Sequence, residues 1–599
     1  MENKQESGTL LGSLVRERFY GTVILILAVL LISLSQTRAS VGDTFDDGKF
    51  EYTVLTEEDS TGSVSVSRMK NDDLSGDAVI PSLVTSGERS YRVTTIADRA
   101  FIFCSSLTSI MIPVGVTAIG EYAFSECSSL TSIGLPENLT SMGKGAFSSC
   151  SGLSSIVIPD GVAVIGEYAF ADCSSLEKIV VGPVNKSFLS IEGVLFDKSK
   201  TTLISYPAKG ASQYRIPDGV RSIAGGSFHS CKSLTSLVIP ESVTTIGEEA
   251  FSGCYRLTSL EIPSGVTSIG AGAFSNCSSL TSLAIPDQVT TIGDKMFSNC
   301  SSLTSIAIPD CVDRIGSEAF FGCSGITSLA ISAKVATIGK EAFTDCTSLE
   351  RIDVSPDNEF FSSFEGVLLN KDKTSLISYP SGGAPQYRIP DGVKSIEGRA
   401  FFNRNRLASV VVSESVTTIG DYAFASCRGL TSMVMGNNVT SIGVGAFKNS
   451  RNLKSIVIPD GVTTIGSEAF YNCRSLPSIV IPDSVTVIGD SLFWECSGLK
   501  SVVIGNKVTT IGKFMFWECR GLSSIVIPES VTSIGEDAFV KCSSLASIYF
   551  RGDAPKLDKR AFTDCSAKIY YLEGKNGWGE SFGGRPAEKW INSPEKAAK

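Results

Sequence analysis

Residues 234–256 read LTSLVIPESVTTIGEEAFSGCYR, and LTSLEIPSGVTSIGAGAFSNCSS follows directly from Leu257. The two stretches carry Leu, Ile, Pro, Val, Ile, Gly, Ala, Phe and Cys at the same offsets, 23 residues apart. A fixed period of about 20 to 50 residues is the sequence signature of a stacked repeat array. The chain is therefore predicted to be a repeat solenoid.

The phenylalanine of this unit shows how far the array extends. It recurs at 18 positions with a spacing of 23 residues, apart from two gaps of 58 residues. The three uninterrupted runs start at Phe101, Phe228 and Phe401 and end at Phe170, Phe343 and Phe562. One coil cannot bury its apolar side alone, but stacked coils form a continuous core. We expect the phenylalanines to fill that core.

Each unit is predicted to contain two short strands and one tight turn. Residues 453–459 are rich in β-branched side chains and end at a proline, which indicates a strand. Residues 462–466 form a second short extended segment that ends at glycine. Residues 467–470 are suited to one helical or 3₁₀ turn that directs Ala and Phe inward.

The repeated pattern L-x-x-I-x-I-P…I-G-x-x-A-F-x-x-C closely resembles the BspA-like, or Treponema pallidum-type, leucine-rich repeat family. The resemblance covers nearly everything from residue 79 to residue 562. It implies a leucine-rich-repeat-type, β-rich, right-handed stack of coils. It also implies a role in attachment, because some members of that family bind host proteins such as fibronectin or fibrinogen.

The predicted domain order places a β-rich N-terminal cap at residues 40–78 and the repeat array at residues 79–562. Long repeats near 177–227 and 350–400 contain IEGVLFDKSKTTLISYP, which begins at Ile191, and FEGVLLNKDKTSLISYP, which begins at Phe364. They resemble hairpin-bearing long repeats, and their tips at 197–200 and 370–373 are predicted to project from the array. A C-terminal cap at 563–592 and a disordered tail at 593–599 follow. Caps are expected because the open ends of a solenoid are exposed strand edges.

The N-terminus carries an export signal. Arg16 and Arg18 precede the apolar stretch GTVILILAVLLISL, and Thr37 and Ala39 then fit a cleavage site. Residues 1–39 are therefore predicted to be a signal peptide. The alternative is a signal-anchor that stays in the membrane, although the stretch is shorter than the roughly 20 residues of a spanning helix. Either way, the repeats are predicted to be extracellular or at the cell surface.

The charge distribution points to neither nucleic acid nor an anionic membrane as a partner. The net charge is −10, and lysine and arginine are scattered rather than clustered. Nothing in this distribution indicates binding to nucleic acid or to an anionic membrane surface. Any membrane contact is expected only through the N-terminal segment, if it is not cleaved.

The cysteines form a column. Sixteen of the 17 lie three residues after the repeated Phe, from Cys104 to Cys565, and Arg404 and Ser450 take this position in two coils. Side chains in such a column point the same way, whereas a disulfide needs converging ones. We therefore predict buried, reduced thiols that pack as small apolar groups. Cys311 lies off the column and is predicted to be more exposed.

The sequence does not predict an enzyme. Ser-His-Asp and Cys-His catalysis need a histidine base, and the only histidine, His229, occupies a turn position that holds Ser, Ala, Thr or Asn in other coils. Acidic residues such as Glu248, Asp460 and Glu529 fall in solvent-facing turns. No catalytic, cofactor or metal site is predicted, since a metal site needs clustered ligands.

The first strand instead predicts a repeated surface. Its outward positions carry Ser two residues after the Leu and often Val or Ala four residues after it, which gives a mildly apolar strip suited to docking. The alternative is that these residues serve only strand propensity. The candidate binding residues are Val238, Val457, Val480, Val503 and Val526, the interrupting Glu261, and Trp494 and Trp517.

Trp494 and Trp517 have two interpretations. They lie one coil apart, directly after a core Phe. Stacked on an outer edge, they would anchor a protein or a sugar; as turn residues, they would pack on their neighbours. The leading functional prediction is a secreted or cell-surface, adhesin-like scaffold that binds an extracellular protein or glycan. The alternative is a self-associating coat protein, which the near identity of the coils favours.

Overall fold

The computed structural model describes residues 40–57, 61–69 and 74–590. The predicted signal peptide and the tail at 593–599 lie outside these residues. The chain divides into two compact units, Met1–Gly210 and Ala211–Lys599. In both, the described residues form a β-solenoid of 23-residue coils, and the two units together contain about 21 coils.

Two parallel strand ladders run along each solenoid. The longer strand of a coil pairs with the equivalent strand of the next coil, as Ser478–Val480 pairs with Ser501–Val503, and these strands form the first-strand ladder. A two-residue strand forms the second-strand ladder, as Thr464–Ile465 pairs with Val487–Ile488. Where these ladders run, they hold successive coils in register.

Unit 1 starts with mainly antiparallel strands, continues with the two ladders and contains one three-stranded hairpin region. Its strands are Thr44–Asp46, Phe50–Thr56, Gly62–Met69, Gly76–Val79, Leu83–Ser86, Arg89–Ile96, Leu107–Met111, Ala118–Ile119, Ser141–Met142, Ser155–Ile158, Val164–Ile165, Lys178–Val181, Phe188–Ile191, Val194–Asp197 and Thr202–Ser205.

Unit 2 contains more coils and the second hairpin region. Its first-strand ladder and C-terminal strands are Gln213–Arg215, Ser236–Val238, Ser259–Leu260, Ser328–Ile331, Arg351–Val354, Gln386–Arg388, Ser409–Val411, Ser432–Val434, Ser455–Ile456, Ser478–Val480, Ser501–Val503, Ser524–Ile527, Ser547–Phe550, Lys568–Leu572, Ser581–Phe582 and Arg585–Trp590. Its second-strand ladder and hairpin strands are Ser222–Ile223, Thr245–Ile246, Ser268–Ile269, Thr291–Ile292, Arg314–Ile315, Thr337–Ile338, Phe361–Phe364, Val367–Asn370, Ser375–Ser378, Ser395–Ile396, Thr418–Ile419, Ser441–Ile442, Thr464–Ile465, Val487–Ile488, Thr510–Ile511, Ser533–Ile534 and Lys556–Leu557.

The turn around each core Phe is not helical, and the prediction of helical turns was wrong. No helix occurs in the described parts of the chain. Around Phe124, Tyr122 and Glu126 have φ of 54° and 61°, the left-handed region that a right-handed helix cannot contain. Their N–H groups donate to the next coil instead, at 2.8 Å to the carbonyls of Lys144 and Ser148.

The core of each unit is a stack of phenylalanine rings. In unit 2 the ring centroids of successive coils lie 4.6 Å apart at Phe401 and Phe424 and 6.0 Å apart at Phe320 and Phe343. Tyr379 provides the ring before Phe401, with centroids 5.0 Å apart. The second gap in the phenylalanine spacing therefore contains a coil whose core ring is a tyrosine.

The cysteine column is buried, as predicted. Most of these thiols donate to the carbonyl of the core Phe in the preceding coil, as Cys473 does to Phe447 at 3.2 Å. Ser450 makes the equivalent bond to Phe424 at 2.8 Å. Arg404 is also buried, and its Nε donates to the carbonyl of Tyr379. The position therefore selects a donor that satisfies a buried carbonyl.

We expect a charged thiol reagent to modify almost none of these cysteines in the native protein. Burial keeps the reagent out and raises the pKa of thiols such as Cys173 and Cys496 to about 12, so the reactive thiolate is scarce. Cys311 is half-buried and should react first. Denaturation should expose the rest, which mass spectrometry would count. Extensive labelling before denaturation would contradict the burial.

Both long repeats contain antiparallel hairpins, and these hairpins do not simply project from the array. In unit 2 the strands Phe361–Phe364 and Val367–Asn370 are antiparallel. The middle strand is buried from Val367 to Leu369, and the turn that follows it at residues 371–373 is exposed. Asn358 anchors this region: its Nδ2 donates to the carbonyls of Ser332 and Val335, both at 2.9 Å.

Candidate functional site

The outward side of the first-strand ladder carries the predicted docking residues. Along Ser478–Val480, Ser478 and Val480 are exposed and Ile479 is buried, because successive strand residues point to opposite faces. The same position recurs in every coil of the C-terminal part of unit 2. We call this row the valine strip; it consists of Val411, Val434, Val457, Val480, Val503 and Val526.

The valine strip is an unusually continuous apolar surface. Val457 is 76% exposed, and Val434, Val480 and Val503 are also exposed, while Val411 and Val526 are half-buried. Val480 and Val503 lie directly opposite one another in the ladder. A row of exposed apolar side chains this long is typical of an interaction surface.

Two tyrosines extend the strip at its C-terminal end, and the sequence analysis did not identify them. Tyr549 pairs with Val526 on one side and with Tyr570 on the other. The two tyrosine rings stack with centroids 5.0 Å apart, and the ring of Trp590 lies 5.4 Å from Tyr549. Tyr549 occupies the outward position of the coil after Val526, so continuing the repeat spacing would have revealed it.

A groove with a volume of about 910 Å³ lies over this part of the strip. Val480, Val503, Val526 and Tyr549 form its floor. The loops that follow the strands form a wall that includes residues 482–484, 505–507 and Pro528. The N–H of Asn506 donates to Oδ1 of Asp483 at 2.7 Å, which ties neighbouring loops of the wall together.

A second groove occupies the same repeat position near the start of unit 2. Its volume is about 490 Å³, and Val238, Glu261, Asp218 and Glu241 line it. Val238 and Glu261 therefore lie together, separate from the other candidate residues. A groove therefore lies beside the outward valine position at two places on this face.

Acidic residues form the rim of this face. Exposed carboxylates repeatedly occupy the position just after the end of the first strand, at Asp218, Glu241, Asp287, Asp310, Asp391, Glu414, Asp460, Asp483 and Glu529. Some have basic partners: Lys575 lies 2.5 Å from Glu529, and Arg215 lies 3.3 Å from Asp218. The valine strip therefore borders a predominantly acidic edge in unit 2.

Trp494 and Trp517 are brought together, but away from the valine strip. Both are half-buried, with ring centroids 5.5 Å apart, and Trp494 stacks on Phe514 at 5.3 Å. Tyr471 lies 5.5 Å from Trp494 on its other side. None of these residues lines the groove. The contacts favour a packing role for the tryptophans, and a role as a ligand anchor stays a prediction.

The only histidine of the chain, His229, lies beside a carboxylate. Nε2 of His229 lies 3.6 Å from Oε2 of Glu249, beside the core Phe of its coil. Across the described ranges, no three His, Cys, Asp or Glu side chains group closely enough to hold a metal ion. In the same part of the chain, no helix has the length and apolar character needed to span a membrane.

Comparison with known families and structures finds similarity to leucine-rich repeat proteins. The family model described as BspA type Leucine rich repeat region (6 copies) matches residues 94–213, 206–301, 267–371, 383–500 and 440–570. The comparison with curated proteins finds no match.

Three solved structures illustrate the similarity. A leucine rich cell surface protein from Faecalibacterium prausnitzii is 27% identical, with 77% of this chain and 94% of that chain covered and a TM-score of 0.42. A leucine-rich repeat protein from Bacteroides ovatus is 22% identical, with 88% and 100% covered and a TM-score of 0.33. The pneumococcal vaccine antigen PcpA is 21% identical, with 89% and 95% covered and a TM-score of 0.31.

Proposed function

Because the chain belongs to the family of BspA-type leucine-rich repeat proteins, we propose that it is a cell-surface scaffold that binds a partner protein through the valine strip. Residues 1–39 direct its export, and the coils present their first-strand face outside the cell. The role is adhesion-like binding rather than catalysis. The observation that carries the proposal is the groove of about 910 Å³ above Val480, Val503 and Val526.

The chemistry of the groove supports a protein partner. Its floor is apolar and ends at an aromatic residue, Tyr549, and its wall carries Asp483, Asn506 and Lys507. An apolar centre with a polar rim is the usual arrangement of a protein-binding surface. Tyrosine supplies much of the binding energy at such surfaces. A partner with apolar side chains and basic residues would match the strip and its acidic rim.

The test compares two valines of equal exposure. Val480 on the groove floor and Val487 on the second-strand ladder are each 56% exposed. Residues 40–599 and the variants Val480→Lys and Val487→Lys would be assayed for binding to a panel of extracellular matrix proteins and glycans. We expect saturable binding to a protein, weakened at least tenfold by Val480→Lys and unchanged by Val487→Lys.

Sedimentation of the same samples separates the alternatives. A monomer whose partner binding depends on Val480 supports the scaffold. Assembly into larger species that Val480→Lys abolishes, without binding to any panel member, would favour the self-associating coat protein instead. Binding lost in a Trp494→Ala, Trp517→Ala variant but kept in Val480→Lys would move the site to the tryptophans.

A further inference from the structure

The second long repeat contains a cavity of about 810 Å³ on the turn side of unit 2, which we call the notch. One wall is the coil of Phe343, the other includes Arg399 and Tyr422 of the following coils, and Phe361 and Leu368 of the hairpin lie between them. The notch exists because the coil between these walls is abbreviated. After Tyr379 it runs directly through residues 380–385 and lacks the Ala-Phe-x-x-Cys turn of a regular coil.

Two carbonyl groups of the wall after the notch already accept hydrogen bonds. Tyr379 N–H donates to the carbonyl of Ala400 at 2.9 Å. The guanidinium of Arg404 donates to the carbonyl of Phe402 at 2.9 Å. Arg404 thus performs part of the bonding that the missing turn would otherwise make.

The wall before the notch differs from the other wall, because it presents backbone N–H groups as hydrogen-bond donors. In the preceding coil the N–H groups of Glu318, Phe320 and Gly322 donate to the carbonyls of Lys340, Ala342 and Thr344, all at 2.9 Å. The equivalent N–H groups of the next coil belong to Glu341, Phe343 and Asp345. Within the described residues, no protein acceptor lies within hydrogen-bonding distance of these three groups. Polar groups of this kind normally have a partner in folded proteins.

Two polar contacts cross the notch at its edges. Glu341 forms an ion pair with Arg399, and Asn403 donates to Asp345 from the opposite wall. Both Arg399 and Glu341 are partly accessible, so the pair is a weak surface contact that a ligand can displace. The two walls of the notch are therefore connected by side-chain contacts rather than by backbone hydrogen bonds.

We propose that the notch binds a short segment of a partner polypeptide, whose carbonyl oxygens accept hydrogen bonds from the N–H groups of Glu341, Phe343 and Asp345. The three donors repeat at every second residue, at the spacing that the carbonyls of Lys340, Ala342 and Thr344 match in the preceding coil. A polypeptide backbone presents acceptors at this spacing. The mode of binding is addition of a backbone segment to an open edge of the stacked turns, by analogy with strand addition to a sheet edge.

This site is distinct from the valine strip, because the residues that line the notch and those that line the groove do not overlap. It therefore goes beyond the proposed function, and each can fail without the other. The probe is a synthetic peptide of residues 338–346 with serine in place of cysteine, which copies a segment that fills this position in a regular coil. A scrambled peptide of the same composition is the control.

The experiment measures amide hydrogen exchange at single-residue resolution on residues 40–599. In the free protein, the amides of Glu341, Phe343 and Asp345 are expected to exchange about 100-fold faster than those of Glu318, Phe320 and Gly322. The peptide at about 1 mM, the upper range for weak binding, is expected to slow these three amides at least tenfold. The scrambled peptide is expected to slow none of them.

Two variants check the location. Ser378 is half-buried and lines the notch, so Ser378→Trp is expected to fill it and abolish the protection. Arg399→Gln removes the ion pair across the opening and is expected to tighten binding severalfold. Unchanged exchange at Phe320 would show that both variants are folded. The proposal is overturned if the peptide protects none of the three amides, or protects them equally in Ser378→Trp.

Discussion

Raising the pH above about 9 is expected to unfold the array of unit 2 abruptly. Burial raises the pKa of each of the ten buried thiols from Cys254 to Cys542, to about 12 for Cys346, Cys427 and Cys496. An unfolded thiol releases its proton near pH 8.5. Between these values the folded state holds more protons than the unfolded state, so stability falls as the pH rises.

The expected loss is large because the thiols act together. Each contributes about 1.4 kcal/mol per pH unit in this window, so ten contribute about 14 kcal/mol per unit once the unfolded thiols have ionised. That loss per pH unit is comparable to the whole stability of a typical domain, about 5–15 kcal/mol. The contribution is fully present below about pH 8.5. Far-UV circular dichroism during an alkaline titration, with a non-thiol reductant present, measures the transition.

Serine variants provide the control. Ser450 already replaces a cysteine and makes the same bond to the carbonyl of the preceding coil. Cys473→Ser and Cys496→Ser are therefore expected to keep the fold, and each should reduce the pH dependence by about 1.4 kcal/mol per unit. A combined variant that unfolds at the same pH as the wild type would contradict this account. It would implicate other groups such as Tyr379, whose pKa burial raises to about 12.

Replacing Asn358 by alanine is expected to lower the free energy of unfolding by about 3–5 kcal/mol. The side chain is fully buried and makes four hydrogen bonds. Its Nδ2 satisfies two carbonyls of the preceding coil, and its Oδ1 accepts from the N–H groups of Phe360 and Phe361 at 2.9 and 2.7 Å. Alanine would remove all four of these hydrogen bonds and leave the carbonyl of Val335 without the buried donor it now has, which is costly.

Chemical denaturation of the variant and of Asp357→Ala measures this effect. Asp357 is the exposed neighbour in the chain, and its replacement is expected to change stability by less than about 0.5 kcal/mol. Asn185 in unit 1 makes the same set of bonds, to Pro159, Val162, Ser187 and Phe188. Asn185→Ala should have a similar effect there. A loss below about 1 kcal/mol at Asn358 would mean that water replaces the amide.

The sequence was sufficient to predict the coil, its period and the direction of most side chains. A repeat spacing shared by Phe and Cys fixes which residues face the core, so the buried thiols and the outward Val480 follow from the pattern. The turn was mispredicted for a physical reason. Residues such as Tyr122 and Glu126 have no intrinsic preference for positive φ, and they adopt it because their N–H groups bond to the next coil.

Less of the candidate site than of the fold could be predicted from the sequence. The outward valines could be identified, but the groove depends on how successive loops stack, as Asp483 and Asn506 do. The tryptophans could not be assigned to packing or binding without the positions of Phe514 and Tyr471. The backbone N–H donors of the notch could not be predicted from the sequence, for a different reason. Only the hydrogen-bond pattern shows that Tyr379 begins an abbreviated coil.

The strand ladders also have a consequence at the level of the gene. Within the described residues, a ladder strand pairs only with strands of the coils directly before or after it, as Ser432–Val434 does with Ser409–Val411 and Ser455–Ile456. Unequal recombination between near-identical DNA repeats that adds or deletes one coil restores the same pairings across the junction. The two long repeats, whose hairpin sequences begin at Ile191 and Phe364, have the form of such a duplication on a larger scale. Alleles of different length are therefore expected to encode proteins that fold.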